Sequence, residues 1–453
     1  MNRTTDNLTW LGTIPKHWKI VKLRHILSPY SEKNHPEMPL LSVVREKGVI
    51  VRNVDDKEEN HNYVPEDLSG YKLVKRGQFA MNKMKAWQGS YGVSQFNGIV
   101  SPAYYVFDVL SNINIDFFNQ AIRSQAYVDY FGQASDGIRV GQWDLSIQRM
   151  KEIPFLLPPI SEQDQIVRFL SWKVSEINKL IAIKQKQIGC LNEKLLAVIN
   201  DLSIHGVKDN RQYTITIMDW APEIPQEWTV SRIRNHFDIR KRIAGSEGYD
   251  VFSVTQQGLK VRDVNLYEGQ LASNYSGYQF VYPGEFAMNH MDLLTGGVGI
   301  ADHLGVTSPD YRVFGLFDEE HCYAPYYLRI FQLCYRRHAF YRFGRGAANV
   351  GRWRLPATAF KNFEIPLPPY DEQVQIVQAI EKEEGKNKAA IDCLKRQIDV
   401  LVELKKRIIS DAVTGKIDVR GIEIPEYEFL PEENNASKAF ETEPCIVLEE
   451  IDG

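Results

Sequence analysis

The sequence predicts a mixed α/β protein with two globular domains joined by two long antiparallel coiled-coil helices, arranged as an internal pseudo-twofold repeat. Three observations predict it. The phrase LPPISEQDQIV at 157–167 returns as LPPYDEQVQIV at 367–377, with eight of eleven letters identical. The stretch before each phrase is rich in aromatics and glycine and carries short β-prone runs such as LLSVV and IVSPAYYVF. After each phrase comes a long segment without proline, its apolar residues recurring at alternating steps of three and four.

The echo extends well beyond one phrase. IPKHW at 14–18 is answered by IPQEW at 224–228, and GVIVRNV at 48–54 by GLKVRDV at 258–264. GYKLVKRGQFAMNKM at 70–84 aligns with GYQFVYPGEFAMNHM at 277–291, and GIVSPAYYVF at 98–107 with GVTSPDYRVF at 305–314. VGQW at 140–143 matches VGRW at 350–353. Short-repeat solenoids need at least three units of roughly 20–50 residues, so two copies of this size mean a duplicated domain-plus-helix instead. The chain accordingly divides into a globular domain over 1–157, a spacer helix over 158–204, a second globular domain over 205–367 and a second spacer helix over 368–415. A C-terminal segment, 416–453, follows; from Glu423 onward it holds ten acids against one lysine and is expected to be disordered.

Each helix has a readable start. Proline suits a helix entrance but not its interior, so Pro158-Pro159 and Pro368-Pro369 mark the two beginnings. Ser161 is placed as N-cap, with Glu162 and Asp164 in the positive first turn; Asp371 and Glu372 take those parts in the second copy. The first seam reads Val167, Leu170, Val174, Ile177, Ile181, Lys184, Ile188, Leu191, Leu195, Val198 and Leu202. The second reads Val377, Ile380, Glu384, Asn387, Ile391, Leu394, Ile398, Leu401, Lys405, Ile408 and Ala412, interrupted by Glu384, Asn387 and Lys405. Each helix would be about 65 Å long at about 1.5 Å per residue. Two such stripes in one chain are natural partners, and antiparallel pairing sets one globular domain at each end of a rod.

Composition narrows the class. No segment approaches the ~20 apolar residues of a membrane span, and MNRTTDNLTWLG lacks the build of a signal peptide. Five scattered cysteines without a CxxC pair fit a reducing cytoplasm. Net charge is −4, so any nucleic-acid signal must be local. Local asymmetry exists. Between Asp67 and Asp108 there is no acid while Lys72, Lys75, Arg76, Lys83 and Lys85 appear; between Glu320 and Glu364 there is none while Arg329, Arg336, Arg337, Arg342, Arg345, Arg352 and Arg354 appear. Basic groups neutralise phosphates, and Arg, Asn and Gln pair with base edges. The expected DNA contacts are Lys83, Lys85, Trp87, Gln88, Ser90, Tyr91, Arg139 and Gln142 in the first domain, with His290, Arg345, Asn349, Arg352 and Arg354 in the second. A solvated helix face is the competing reading for Arg329 and Arg336, and core packing for Met84 and Trp87.

No chemistry of the chain's own is visible. Leu367-Pro368-Pro369-Tyr370 lacks the polar first residue that an amino-methyltransferase motif needs, and Pro309-Asp310 has no suitably placed nuclease partner. No GxxxxGK[ST] occurs, and His321, Cys322, Cys334 and His338 lack the close pairing of a zinc site, so no metal is expected.

Over nearly its full length the chain resembles type I restriction–modification specificity subunits. The carrying residues are IPKHW and IPQEW, the SP(A/D)Y(Y/R)VF strands, the two LPPxxEQxxIV entrances, and AVTGKIDVRG at 412–421. The resemblance implies two target-recognition domains, each reading one part of a bipartite double-stranded DNA sequence, with helix length setting the gap. It implies two flanking modification subunits that methylate adenine with S-adenosylmethionine, and restriction/translocase subunits using ATP and magnesium. The chain itself would be a non-enzymatic cytoplasmic component without cofactor. By position, the resemblance also makes Pro158, Pro159, Glu162, Gln163, Pro368, Pro369, Glu372 and Gln373 the helix entrances that bind those subunits. Two alternatives are the recognition region of a fused methyltransferase–endonuclease, which the start at Met1 argues against, and a coiled-coil scaffold without sequence specificity.

Overall fold

A computed structural model of the chain describes residues 14–45, 47–52, 65–110, 112–135, 143–262, 274–346 and 353–430. Its helices are α1 (Ile115–Ile122), α2 (Gln125–Ala134), α3 (Ile147–Glu152), α4 (Ile160–His205), α5 (Ala324–Arg336), α6 (Ala357–Asn362) and α7 (Tyr370–Val413). The rest of the ordered backbone is short strands and single turns of 3₁₀ helix, a mixture of helix and strand without a barrel. The chain forms two compact units. The first holds 1–185 and 395–453, the second 186–394, so each takes one part of both long helices.

In the first unit a four-stranded antiparallel sheet runs in the order Leu27–Tyr30, Tyr105–Val109, Phe79–Met81, Tyr91–Val93. Alternation along Phe79-Ala80-Met81 sends Phe79 and Met81 to one face, onto α1, α2 and the start of α4, and Ala80 to the other, onto the hairpin of Leu41–Val44 with Gly48–Val51. Phe79, Phe107, Phe118, Tyr91, Phe131 and Phe155 build the larger core with tilted and edge-on ring contacts. Lys19–Lys22 pairs with Pro154–Leu157 and delivers the chain into α4. Ile166, Phe169 and Leu170 of α4 share this core with Ala412 and Val413 of α7.

The second unit repeats the plan. Its sheet runs Phe237–Arg240, Arg312–Leu316, Phe286–Met288, Val298–Ile300, strand for strand the order of the first. Thr229–Arg232 pairs with Glu364–Leu367 ahead of α7, as its counterpart does ahead of α4. Ile199 and Ile204 of α4 share this core with Ile376, Val377 and Ile380 of α7. The units differ in their helices, since α5 stands in the second where α1 and α2 stand in the first.

No expected seam position on either helix is exposed. Two of the polar interruptions in the second seam are partnered. Glu384 accepts a 2.8 Å bond from Arg329 of α5, and Lys405 lies 3.5 Å from Asn178 Oδ1.

Two glycines close the helices in matching ways. Gly206 and Gly415 both sit at φ +78°, the left-handed conformation that glycine adopts at least cost. A Cβ on Gly206 would strike Trp228, and one on Gly415 would strike Pro15 and Trp18. The chain after Gly415 then runs back along α4. Gln165 Nε2 donates to the carbonyls of Val419 and Ile422, Tyr427 Oη meets Ser171 Oγ at 2.8 Å, and Ser175 Oγ bonds the backbone of Glu428 and Leu430. The expectation of disorder from Glu423 onward is therefore corrected for 423–430, where backbone bonding to α4 outweighs the acidic composition; residues 431–453 lie outside the described set.

Candidate nucleic-acid interface

Each sheet carries a loop whose neck is built the same way. In the first unit Asn82 Oδ1 accepts the Met84 N–H and starts the 3₁₀ turn Lys83–Gln88, which Gly89 ends at φ +87°. The Leu145 N–H donates to the Lys83 carbonyl, closing the neck, while Lys83 Nζ reaches Asp144 at 3.2 Å. Trp87 lies against Trp143, ring centroids 5.2 Å apart. Lys85 is exposed and has no side-chain partner among the described residues.

In the second unit Asn289 Oδ1 accepts the Met291 N–H, and the Leu355 N–H donates to the His290 carbonyl. Arg345 and Arg354 exchange backbone bonds of 2.8 and 3.1 Å at the base of the next loop. Trp353 stacks on Tyr341 at 5.3 Å and donates Nε1–H to its carbonyl. Arg312 is buried on the Phe360 ring, giving one N–H to the Leu355 carbonyl at 2.7 Å, and burial brings its pKa down to about 10. Burial, with the positive Arg312 and Arg354 beside it, pushes the His290 pKa down to about 3, so the ring is neutral and accepts from Arg354 Nε at 3.3 Å.

These neighbours sort the expected contacts. Lys85, Trp87 and Gln88 are exposed or half-buried around the first neck, and Arg345 and Arg354 are exposed around the second. Lys83 is half-buried and paired with Asp144. Three expectations are corrected. Tyr91 is 0% exposed, its ring 4.5 Å from Phe131, because pairing with Met81 turns it to the core face of the sheet. Ser90 is buried beside it, and His290 is 5% exposed with its ring held against Arg354. None of the three presents its side chain to a groove. Arg139, Gln142, Asn349 and Arg352 lie outside the described residues.

The long basic run of the second unit largely serves the fold. Arg329 pairs with Glu384, Arg336 donates to Asn200 Oδ1, Arg337 donates to the Trp220 carbonyl and Arg342 pairs with Asp219. The surface cations thus narrow to Arg345 and Arg354.

The helix entrances are corrected as well. Pro159 and Pro369 are exposed, but Pro158, Pro368 and all four Glu and Gln side chains are buried within their own units. Gln163 accepts the Asn114 N–H at 2.8 Å and donates to the Pro158 carbonyl. Gln373 accepts the Tyr323 N–H at 2.8 Å and donates to the carbonyls of His321 and Pro368. Glu162 meets His17 Nε2 at 2.7 Å; Glu372 accepts from both terminal nitrogens of Arg211 and from Trp228 Nε1. The doubled EQ therefore locks each domain to its helix, leaving neither side chain free for a partner surface. Sequence reading also missed Arg211. It belongs to an echo, GVKDNR at 206–211 against GKIDVR at 415–420, whose shared Gly, Asp and Arg spacing was the available signal.

The profile of the type I restriction modification DNA specificity domain matches residues 225–391. The MjaX specificity subunit of a type I restriction enzyme from Methanocaldococcus jannaschii is 22% identical over 294 residues, covering 62% of this chain and 63% of its own length. The MjaVIII specificity subunit of the same organism is 21% identical over 289 residues, 60% of this chain and 64% of that one. The chain thus spans less than two thirds of the length of these relatives. A solved chain from work on complex assembly and conformational transition of a type I R-M system superposes with a TM-score of 0.55 at 13% identity, covering 89% of this chain and 100% of that one, a likeness of fold. In its duplicated sheet, its doubled helix entrance and its matched specificity domain, the chain is similar to type I restriction–modification specificity subunits.

Proposed function

We propose that this chain is the DNA-reading and scaffolding subunit of a type I restriction–modification complex. The observation that carries the reading is the duplicated unit: one sheet topology and one glutamine-locked entrance, each leading into a helix of about 45 residues. Each globular domain reads one part of a bipartite duplex target. The helices α4 and α7 pair antiparallel as a coiled-coil spacer, and their length sets the gap between the parts. Support for the seam comes from its covered positions and from the partners of Glu384 and Lys405.

Lys85, Trp87, Gln88, Arg345 and Arg354 are the contact set among the described residues; Arg139, Gln142, Asn349 and Arg352 complete the set read from the sequence. Lys85 suits a phosphate; Arg345 has the planar donor fork that matches the O6 and N7 acceptors of guanine. Two modification subunits dock on the outer faces of the long helices, where Leu180, Ile183, Leu196, Val400 and Leu404 are exposed. Adenine N6 methylation, with its S-adenosylmethionine, belongs to those subunits; ATP and magnesium belong to restriction/translocase subunits, and this chain contributes no catalytic group. Among the described residues no helix is long and apolar enough to cross a membrane, which suits assembly on chromosomal DNA in the cytoplasm.

A modified-base sequencing map of host DNA, with the gene intact and deleted, tests this. Loss of N6-methyladenine from one two-part motif with a fixed gap is the expected result. An unchanged map, in a host where the modification subunits are expressed, removes the DNA-reading role.

A further inference from the structure

The second unit buries a set of polar side chains where the first keeps isoleucines. His236 occupies the place of Ile26: each donates its backbone N–H three residues back, to Ile233 and Leu23, and accepts at its carbonyl from Phe317 and Leu110 respectively. Cys322 occupies the place of Ile113, since the following residues, Tyr323 and Asn114, give their N–H groups to Gln373 and Gln163. All four residues are buried. The fold therefore packs apolar residues at both positions without difficulty, and burying an imidazole and a thiol there has another cause.

The third member is Asp318. The donor atoms of His236, Asp318 and Cys322 all lie within 4.8 Å of one another. His236 Nδ1 faces Asp318 Oδ2 at 2.6 Å, while its Nε2 meets Ser231 Oγ at 2.7 Å. Nδ1 faces the cluster, and on the far side of the ring Ser231 Oγ is placed to accept the proton of Nε2 when Nδ1 ligates. Metal-bound histidines are held in this manner, by a hydrogen bond from the nitrogen that does not ligate. His321, exposed at the mouth, sits on the other carboxylate oxygen of Asp318 at 2.8 Å. A hydrogen-bonded His–Asp pair alone would need neither the thiol nor a second imidazole.

We infer that His236, Asp318 and Cys322 form a binding site for a zinc-class divalent metal ion, with His321 on the outer oxygen of Asp318 at its mouth. An imidazole, a thiolate and a carboxylate are donors of zinc, and the set is too soft for magnesium or calcium. Binding replaces the Cys322 thiol proton, which leaves to solvent. The ion takes its protein donors from two segments of the fold. It ties the start of strand Phe237–Arg240 to the 318–322 loop that enters α5. Sequence spacing pointed away from zinc because His236 lies 82 residues before Asp318 and no CxxC occurs.

The test is a cobalt(II) titration of the full-length chain, made without a histidine tag, read by absorption. The expected result is one cobalt per chain with a thiolate-to-metal charge-transfer band, displaced by zinc and lost in Cys322→Ser. His321→Ala removes a 63% exposed ring that bonds the ligating Asp318 and leaves the core intact; it should weaken cobalt binding about tenfold. The site is overturned if saturating cobalt gives no thiolate band, or if a folded Cys322→Ser chain keeps the band. Should Cys322→Ser not fold, unchanged affinity in His321→Ala overturns it. The readout does not involve DNA, so it stands or falls apart from the methylation map.

Discussion

At the neck of the first loop Lys83 pairs with Asp144 across 3.2 Å; at the same place in the second unit Arg354 donates to a neutral His290 across 3.3 Å. Beneath both, the same backbone bond runs from a leucine N–H, Leu145 or Leu355, to the carbonyl of Lys83 or His290. A similar exchange occurs at the opposite edge of each sheet. In the first unit Glu32 takes Lys75, whose ammonium also lies over the Tyr30 ring at 5.0 Å. In the second, Arg242 stands at the position of Glu32 and Tyr282 at that of Lys75; Arg242 pairs with the buried Glu285 and lies 4.5 Å from the Tyr282 ring. Cation, anion and ring have traded places while the strands kept their register. Backbone bonds and alternating apolar residues carry the fold, and polar clusters are free to diverge so long as each remains internally paired. The proposed reading, two domains contacting different parts of a DNA site, requires that freedom.

The entrance locks offer the hardest break in this symmetry. Glu372 is 2% exposed and neutralises the Arg211 side chain, itself 3% exposed; Glu162 bonds His17, which is 37% exposed, and has Arg420 in electrostatic range. Glu372→Ala leaves Arg211 buried against the more distant Glu227 alone and should cost about 3 kcal/mol or more, whereas Glu162→Ala should cost about 1 kcal/mol. Urea unfolding of both variants measures the difference, and equal losses would show that the two locks are energetically alike.

A smaller effect is expected at the loops. Arg345→Ala should weaken binding to the cognate site by about 1–3 kcal/mol and relax discrimination at one position. Lys85→Ala should weaken cognate and unrelated duplexes alike and lower the salt slope by about one. Binding isotherms on both duplexes over a range of salt separate base reading from phosphate contact. Identical behaviour of the two variants would defeat the assignment of different roles.

A pH-dependent effect sharpens the His290–Lys83 contrast. The folded chain holds His290 near pKa 3 against an ordinary 6.5, so the unfolded chain takes up a proton that the folded chain refuses. Its contribution is fully present above pH ~6.5 and is lost as pH falls toward ~3, at no more than about 1.4 kcal/mol per pH unit. His290→Leu should flatten the stability profile of the chain across that window. Parallel profiles for wild type and variant would mean the ring is not held neutral.

The duplication and both helices were legible in the letters. Spacers expected over 158–204 and 368–415 meet helices at Ile160–His205 and Tyr370–Val413, because proline placement and a three-four apolar stripe are local properties of a chain. The loops were half legible. Basic and aromatic letters marked the right stretches, yet Tyr91, Ser90 and His290 turned inward because strand register, set by a partner strand, decides which face a side chain takes. Arginine counting failed in 329–342 for a related reason, since each guanidinium there found an acceptor elsewhere in its unit.

What the sequence determined by itself was thus periodic: two copies, two apolar helix stripes, two double-proline entrances. What the tertiary structure decided was the fate of the polar groups. Gln163 meets a backbone N–H 49 residues away, Glu372 an arginine 161 residues away, and His236 an aspartate 82 residues away. No local pattern encodes those distances. A buried polar side chain is stable only beside its partner, and only the folded path of the chain brings the partner there.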